Sequence, residues 1–465
     1  MDRVEDLAPR VTTTAARTPG PLRVAVVGAG WAGCAAALEL ARRGASVVVY
    51  EAAKVAGGRA RRVVIDDLPL DNGQHLLVGA YRECLRLVDD LHGGAPGSGA
   101  SAPPYARLPL SLVPLGASAD AVRLVAGRGP APLHLLSGLA TAEGLRWHSR
   151  AALAGALWRL GRQRDAIPAA ASVTAWFGGL PRDAFDGVIA PLCVAALNTP
   201  PGEASARSLA HVLARTLAAT RRDSDFVLPQ TDLTTLFPQP ALREVAARGG
   251  TVALGVSARV VAAGPAGVVL AVAGEVRPYD AAVIAVGPHQ LSGVLDGEAL
   301  ALAPLRALLE TTARFEYEPI TTVYLGCDPP LAVPLPILRL DDRPGQWLFV
   351  RRPAGASRGD TLLAVVISAH GSQERQDQAL LVAAVVAQLR RLRPGLPAIT
   401  WSRVITERRA TFACRPALLR PSAGLLAPGL CLAGDYTDAV LPATLEAAVA
   451  SGLVAARALV PVRPG

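Results

Sequence analysis

Gly28, Gly30 and Gly33 form a G-x-G-x-x-G run between an apolar stretch ending at Val27 and an alanine-rich stretch that reads as a helix. That spacing suits a dinucleotide: the first glycine permits a tight turn, the second lets backbone approach a pyrophosphate, and the third lets helix pack on strand. The helix N-terminus then faces the phosphates. Glu51, 18 residues after Gly33, closes the next apolar run and offers a carboxylate that binds ribose hydroxyls and repels a 2′-phosphate. Gly57-Gly58-Arg59-Ala60-Arg61 follows. An NAD site does not need a second glycine pair and an arginine, whereas the extended pyrophosphate of FAD gains a charged partner from them. The bland alternative is a surface turn with a solvated arginine.

These residues need a parallel sheet to hold them. Leu22–Val27, Trp31–Arg43 and Ser46–Tyr50 read as strand, helix and strand, a βαβ unit at the front of such a sheet. A Gly/Ser/Pro loop spans His92–Pro104. Residues 106–230 read as mostly helical with proline breaks, whereas Thr251–Val261, Val268–Val272 and Ala281–Val286 are β-branched and strand-like. A mixed segment, 291–404, contains an amphipathic helix around Gln378–Leu392. The chain closes with a strand at Leu430–Ala433 and an apolar helix from about Ala443 to Leu459. The expected fold class is therefore α/β, with a Rossmann-like nucleotide-binding domain assembled from 22–105, 231–290 and 405–465. It is interleaved with a mixed, largely helical substrate domain from 106–230 and 291–404.

Composition narrows the classes. Apolar residues make up 51% of the 465 and mean hydropathy is +0.32, yet Arg, Gly and Pro interrupt every apolar run before the ~20 residues a spanning helix needs. The expectation is a cytoplasmic protein that touches a membrane at most peripherally. The formal charge is +9 with Lys54 the only lysine, and no segment interleaves basic with aromatic residues, so no nucleic-acid role is expected. Cys34, Cys84, Cys193, Cys327, Cys414 and Cys431 lie far apart without a CxxC pair, which points to reduced thiols rather than a disulfide frame or metal site. Residues 1–21 lack an apolar signal core and read as a disordered leader.

The order G-x-G-x-x-G, acid, GGR resembles the flavin amine oxidase, phytoene desaturase and protoporphyrinogen oxidase superfamily. The far end agrees: in Pro428–Tyr436, PGLCLAGDY, Gly434 and Asp435 match a glycine and acid that the superfamily places beside the FAD phosphates and ribityl chain. Pro442-Ala443-Thr444-Leu445-Glu446 then opens a helix whose first amides, at Thr444 and Leu445, would face the flavin. Ala258, in the middle strand run, is counted with the cofactor-binding residues. Asp71-Asn72-Gly73-Gln74-His75, the run Pro191–Pro201 (PLCVAALNTPP), Asp223-Ser224-Asp225 and Arg408-Arg409-Ala410-Thr411-Phe412 look like the hydroxysqualene dehydroxylases, a squalene-associated branch of that superfamily. The likeness covers nearly the whole chain from residue 22.

The resemblance implies a GR2-type flavin amine oxidase fold, non-covalent FAD, and reduction of 12-hydroxysqualene, a C30 allylic alcohol, to squalene on the route to hopanoids. It places His75, Asn72 and Gln74 near the reacting end of the flavin, with His75 the first candidate for proton donor. Asn198, Arg409 and Leu441 are assigned to the substrate side through the resemblance. Two departures stand out. Val440 and Leu441 replace a glycine and an aromatic that the branch usually carries, and Ala447 replaces a glycine. Two other readings stay open: a carotenoid or phytoene-type desaturase running electrons the other way, and an isoprenoid-binding flavoprotein without turnover. No second nicotinamide-binding G-x-G-x-x-G is evident, so the electron donor stays unassigned. His134, His148, His211 and His289 read as structural.

Overall fold

The structure is a computed structural model that describes residues 20–93, 103–116, 121–217, 220–351, 361–369 and 377–460. Most of the expected leader, residues 1–19, and the core of the expected loop, 94–102, lie outside them.

The front of the chain folds as its pattern dictates: β1 (Arg23–Val27), α1 (Trp31–Arg42) and β2 (Ser46–Glu51). Four of five β1 residues are buried because the strand is covered on both faces, as central parallel strands are. The sheet has six strands in the order Thr251–Leu254, β2, β1, Ala281–Ile284, Leu430–Leu432 and Gly424–Ala427. The first five run parallel and Gly424–Ala427 closes the edge antiparallel. The C-terminal helix Leu445–Leu459 crosses α1 so closely that a Cβ at Gly452 would lie 2.2 Å from the Ala32 carbonyl oxygen. Three distant pieces of sequence thus build one sheet, whose strand C-termini end along a common edge.

A second sheet of five antiparallel strands runs Ile337–Arg339, Trp347–Arg351, Thr361–Ser368, Tyr317–Asp328 and Ala398–Phe412. Period-two alternation divides its faces. Val323, Leu325, Leu363 and Val365 pack with Val385 and Leu389 of the helix Gln378–Leu392. Tyr324, Ala364, Val366 and Ile405 turn into the main core shared with the helical region. The strand Ala398–Phe412 runs unbroken through the expected 404/405 boundary, so residues on both sides of it belong to this sheet.

The region 106–230 is helical in its middle, with Leu133–Ala140, Trp147–Gln163, Val173–Phe177, Ala190–Leu197 and Ala206–Leu217. Tyr105–Leu108, at its start, pairs with Phe226–Pro229, which also pairs with Leu77–Val78. That small sheet ties the insert to the segment preceding it. A meander of Ala258–Gly264, Gly267–Val272 and Glu275–Tyr279 links two parallel strands.

Candidate functional site

The glycines of the first loop have unequal jobs. Gly28 has φ +104°, and a Cβ there would meet the Ala285 carbonyl oxygen at 2.6 Å. A Cβ on Gly33 would lie 1.9 Å from the Gly28 carbonyl oxygen. Protein packing therefore demands both. At Gly30 it demands nothing, since the nearest atom to an added Cβ is the Gly58 Cα at 3.9 Å. Bare backbone from Gly30, Gly57 and Gly58 lines the same gap, with Gly30 and Gly57 bridged and the Gly57 amide donating to the Ala29 carbonyl at 2.8 Å. A gap kept open by backbone with no protein filling it suits a phosphate chain. Glu51 braces the loop: its carboxylate accepts from the Ala29 amide at 2.7 Å and the Ala53 amide at 2.8 Å. The Val256 amide donates to the Glu51 carbonyl at 2.8 Å, which brings the start of the strand carrying buried Ala258 alongside.

Beyond the glycines, Arg59 spans two sheets. Its guanidinium donates to the Asp435 carboxylate at 2.6 Å and to the Ala410 carbonyl at 2.7 Å. Burial works against the charged guanidinium, but the Asp435 carboxylate outweighs it and holds Arg59 above its ordinary value. Gly434 is fixed by its amide donating to Ser451 Oγ at 2.8 Å, and a Cβ there would strike the Tyr436 ring. Thr444 caps the helix Leu445–Leu459, its hydroxyl accepting from the Ala447 amide at 3.1 Å. The unpaired first-turn amides beside Leu445 therefore start from this edge. Glu446 instead faces the N-terminus of the helix Arg82–Leu91, accepting from the Glu83 and Cys84 amides at 3.1 and 2.9 Å.

The loop 71–75 is held from several directions. Asp71 pairs with Arg351 at 3.1 Å and accepts from the Leu233 amide at 2.8 Å. Asn72 donates to the Arg59 carbonyl at 3.1 Å and to Glu407 at 3.0 Å. Gln74 is buried, its side-chain oxygen accepting from Arg351 at 3.3 Å and its amide nitrogen donating to the His75 carbonyl at 3.0 Å. His75 places Nδ1 2.8 Å from the Gly73 carbonyl, which assigns the proton of the neutral ring to Nδ1 and leaves Nε2 as the nitrogen for a ligand. Burial, helped by the positive charge of Arg59, lowers its pKa, while the Gly73 bond and Asp71 oppose that shift.

The three residues expected on the substrate side occupy different environments. Asn198 ends the helix Ala190–Leu197 at φ +46°. Its amide donates to the Glu318 and Pro319 carbonyls and to Thr411 Oγ1 at 3.0–3.4 Å, and its oxygen accepts from the Ala369 amide at 2.8 Å. It stitches helix to sheet. Leu441 is buried, with its amide held by Asp438 at 2.6 Å and its carbonyl accepting from Arg420 at 2.5 Å. Arg409 is exposed on a bulge: Glu318 pairs with Thr411 and Ile320 with Glu407, so Pro319 alone faces Arg408, Arg409 and Ala410. Proline has no amide to offer a partner strand, so the ladder opens there. The bulge carries the Arg409 guanidinium to 5.7 Å from the Tyr317 ring centre.

Sequence reading missed four members of this arrangement: His289, Tyr317, Arg351 and Glu407. His289 follows the strand Ala281–Ile284 and packs edge-on against Tyr317 at 5.8 Å. Burial and the charges of Arg409 and Arg59 lower its pKa, and its Nδ1 is buried without a partner among the described residues. The one sequence signal was position, just after a parallel strand, where α/β sheets bind ligands.

The chain matches the family described as flavin containing amine oxidoreductase over residues 31–460. It belongs to that family. Among curated relatives it is 31% identical to the hydroxysqualene dehydroxylase of Rhodopseudomonas palustris, across 92% of this chain and 96% of that one. It is 27% identical to the hydroxysqualene dehydroxylase of Sinorhizobium fredii, across 93% and 97%. Two solved structures superpose along the chain at 16% identity. An oxidoreductase from Methanosarcina mazei gives a TM-score of 0.71, covering 94% of this chain and 99% of that one. A redesigned putrescine oxidase gives 0.70, covering 95% and 99%. The chain is an FAD-dependent oxidoreductase, and the open gap at Gly30, Gly57 and Gly58 with the Arg59–Asp435 pair beside it fits that cofactor.

Proposed function

We propose that this oxidoreductase reduces 12-hydroxysqualene to squalene in squalene and hopanoid biosynthesis. The observation that carries the reading is the 31% identity to a hydroxysqualene dehydroxylase along 92% of the chain. The balance is simple: the allylic C–O bond breaks, a hydride and a proton are taken up, and the products are squalene and water. When reduced, FAD supplies the hydride.

The residues divide the remaining work. Gly28, Gly30, Gly33, Gly57 and Gly58 cradle the pyrophosphate, Glu51 and Ala258 hold the adenosine end, and Arg59 with Asp435 flanks the phosphates and ribityl chain. The N-terminal amides at Thr444 and Leu445 stabilise negative charge on the ring. The cofactor is held without a covalent bond. When doubly protonated, His75 gives its Nε2 proton to the leaving hydroxyl, while the Nδ1 proton stays on the Gly73 carbonyl and fixes the ring. Asn72 and Gln74 fix that loop, Asn198 and Arg409 shape the substrate side, and Leu441 keeps water from the allylic carbon as positive charge develops there. Among the described residues no helix is long and apolar enough to cross a membrane. In this reading the protein works from the cytoplasmic side as a peripheral protein, since a C30 alcohol resides in the bilayer.

The test is stoichiometric. Purified protein loaded with FAD is photoreduced without oxygen and mixed with 12-hydroxysqualene. The expected result is flavin reoxidation with one squalene formed per flavin. Flavin that stays reduced beside intact alcohol overturns the reading.

A further inference from the structure

The helical insert carries an outward face whose two tryptophans are exposed among the described residues. In Trp147–Gln163 the buried residues Ser149, Leu153, Ala156 and Leu160 form the inner side. At 3.6 residues per turn Trp147 and Trp158 fall within about 20° of each other on the opposite side, roughly 16 Å apart along the axis. Trp147 is 80% exposed and Trp158 is 62% exposed. Small residues lie between them, with Ala151 exposed and Gly155 half-buried, so no bulky side chain separates the two indoles. The neighbouring helix Leu133–Ala140 exposes Leu133 and Leu136, and Val173–Phe177 exposes Trp176. Elsewhere, Trp31 and Trp347 are buried.

Charge on this helix has one sign. Arg150, Arg159 and Arg162 are its charged residues and none is acidic. Arg162 lays its guanidinium over the Trp158 ring, 4.3 Å from the centre. An indole has an apolar body and one N–H, and it is most stable where hydrocarbon meets water. Arginine beside it reaches anionic headgroups while its stem stays on the apolar side.

We infer that Trp147 and Trp158, with Arg159 and Arg162, seat the protein on an anionic lipid bilayer. The inference rests on the proposed isoprenoid substrate only for its purpose, which is to bring the helical insert to the phase that stores the alcohol.

Flotation of the FAD-loaded protein with phosphatidylcholine vesicles, with and without phosphatidylglycerol, tests it. Wild type should float with the anionic vesicles. W147S combined with W158S should lower partitioning at least about tenfold, and R159Q combined with R162Q should abolish the preference for anionic over zwitterionic vesicles. All four side chains are exposed, so melting temperatures should not move, and this serves as the folding control. Wild type that does not float, tryptophan variants that float equally well, or variants whose only change is a smaller assembly in sedimentation overturns the surface; the last outcome assigns it to a second copy of the chain. Reoxidation of prereduced flavin by detergent-dispersed 12-hydroxysqualene separates the two ideas. The tryptophan variants should retain it, whereas its absence from wild type counts against the reaction and leaves the flotation result standing.

Discussion

On the parallel sheet the residues expected at the cofactor sit where strands end; on the antiparallel sheet Arg409 sits where the ladder between two strands opens. Gly28 follows directly on β1, Glu51 is the last residue of β2, and Gly434 stands two residues beyond Leu430–Leu432. Arg409 rides a bulge opposite Pro319, and Asn198 reaches that bulge from a separate helix. Strand ends repeat their geometry from fold to fold, because the parallel sheet and its helices leave one edge free for a ligand. Interruptions are particular to one chain. The expected cofactor side is thus built from general parts and the proposed substrate side from individual ones.

Substitutions in the glycine loop break the comparison hardest. Gly33→Ala drives a methyl into the Gly28 carbonyl, and it should cost roughly 3 kcal/mol or more of stability, read as a fall in denaturation midpoint of the apoprotein. Gly30→Ala meets no protein atom closer than 3.9 Å. It should leave the apoprotein midpoint unchanged while weakening FAD binding about 10- to 100-fold in a fluorescence titration. Equal stability losses in the two variants would mean that the gap at Gly30 is filled by protein rather than by phosphate.

On the other side, Asn198→Ala removes the partner of the Glu318, Pro319, Thr411 and Ala369 groups at a left-handed position. Chemical denaturation should show a loss of about 2–4 kcal/mol, with FAD affinity in the folded fraction unchanged. A selective loss of FAD would move Asn198 to the cofactor side.

In the proposed reading His75 lies where the two sides meet. His75→Ala should retain FAD and slow single-turnover flavin reoxidation at least ~10-fold. Because the His75 pKa is lowered from 6.5, the protonated fraction grows only below that value. The wild-type rate should therefore rise as pH falls through the region under 6.5 and lose this dependence in the variant. A pH profile shared by both proteins removes His75 from proton transfer.

Lys54→Met sets the lower bound. Lys54 is exposed next to the Glu51 end of the site, so its loss should leave reoxidation rates unchanged within error. A large loss would place Lys54 in the flavin chemistry.

The division also explains what the sequence disclosed. The G-x-G-x-x-G run, Glu51 and GGR are local: their spacing along the chain is their spacing in space, and β1, α1 and β2 begin within a residue of where apolar periodicity puts them. The helix Gln378–Leu392 was legible for the same reason. The partners of the DNGQH loop were not. Asn72 meets Glu407 across 335 residues and Asp71 meets Arg351 across 280, pairings fixed by sheet register rather than by local pattern. His289 looked structural because nothing around it in sequence shows that Tyr317, Arg59 and Arg409 converge there. The strand Ala398–Phe412 crosses an expected domain boundary because one antiparallel strand serves both regions: Ala410 accepts from Arg59 while Thr411 holds Asn198.

Hydride delivery to the allylic carbon is the claim on which the rest depends, and a single anaerobic turnover in heavy water tests it most directly. The transferable hydrogen of reduced flavin exchanges with solvent, so the squalene extracted should carry one deuterium at the former carbinol carbon, formed in step with flavin reoxidation. Unlabelled squalene, or a more unsaturated lipid produced only by the oxidised enzyme, would contradict the account.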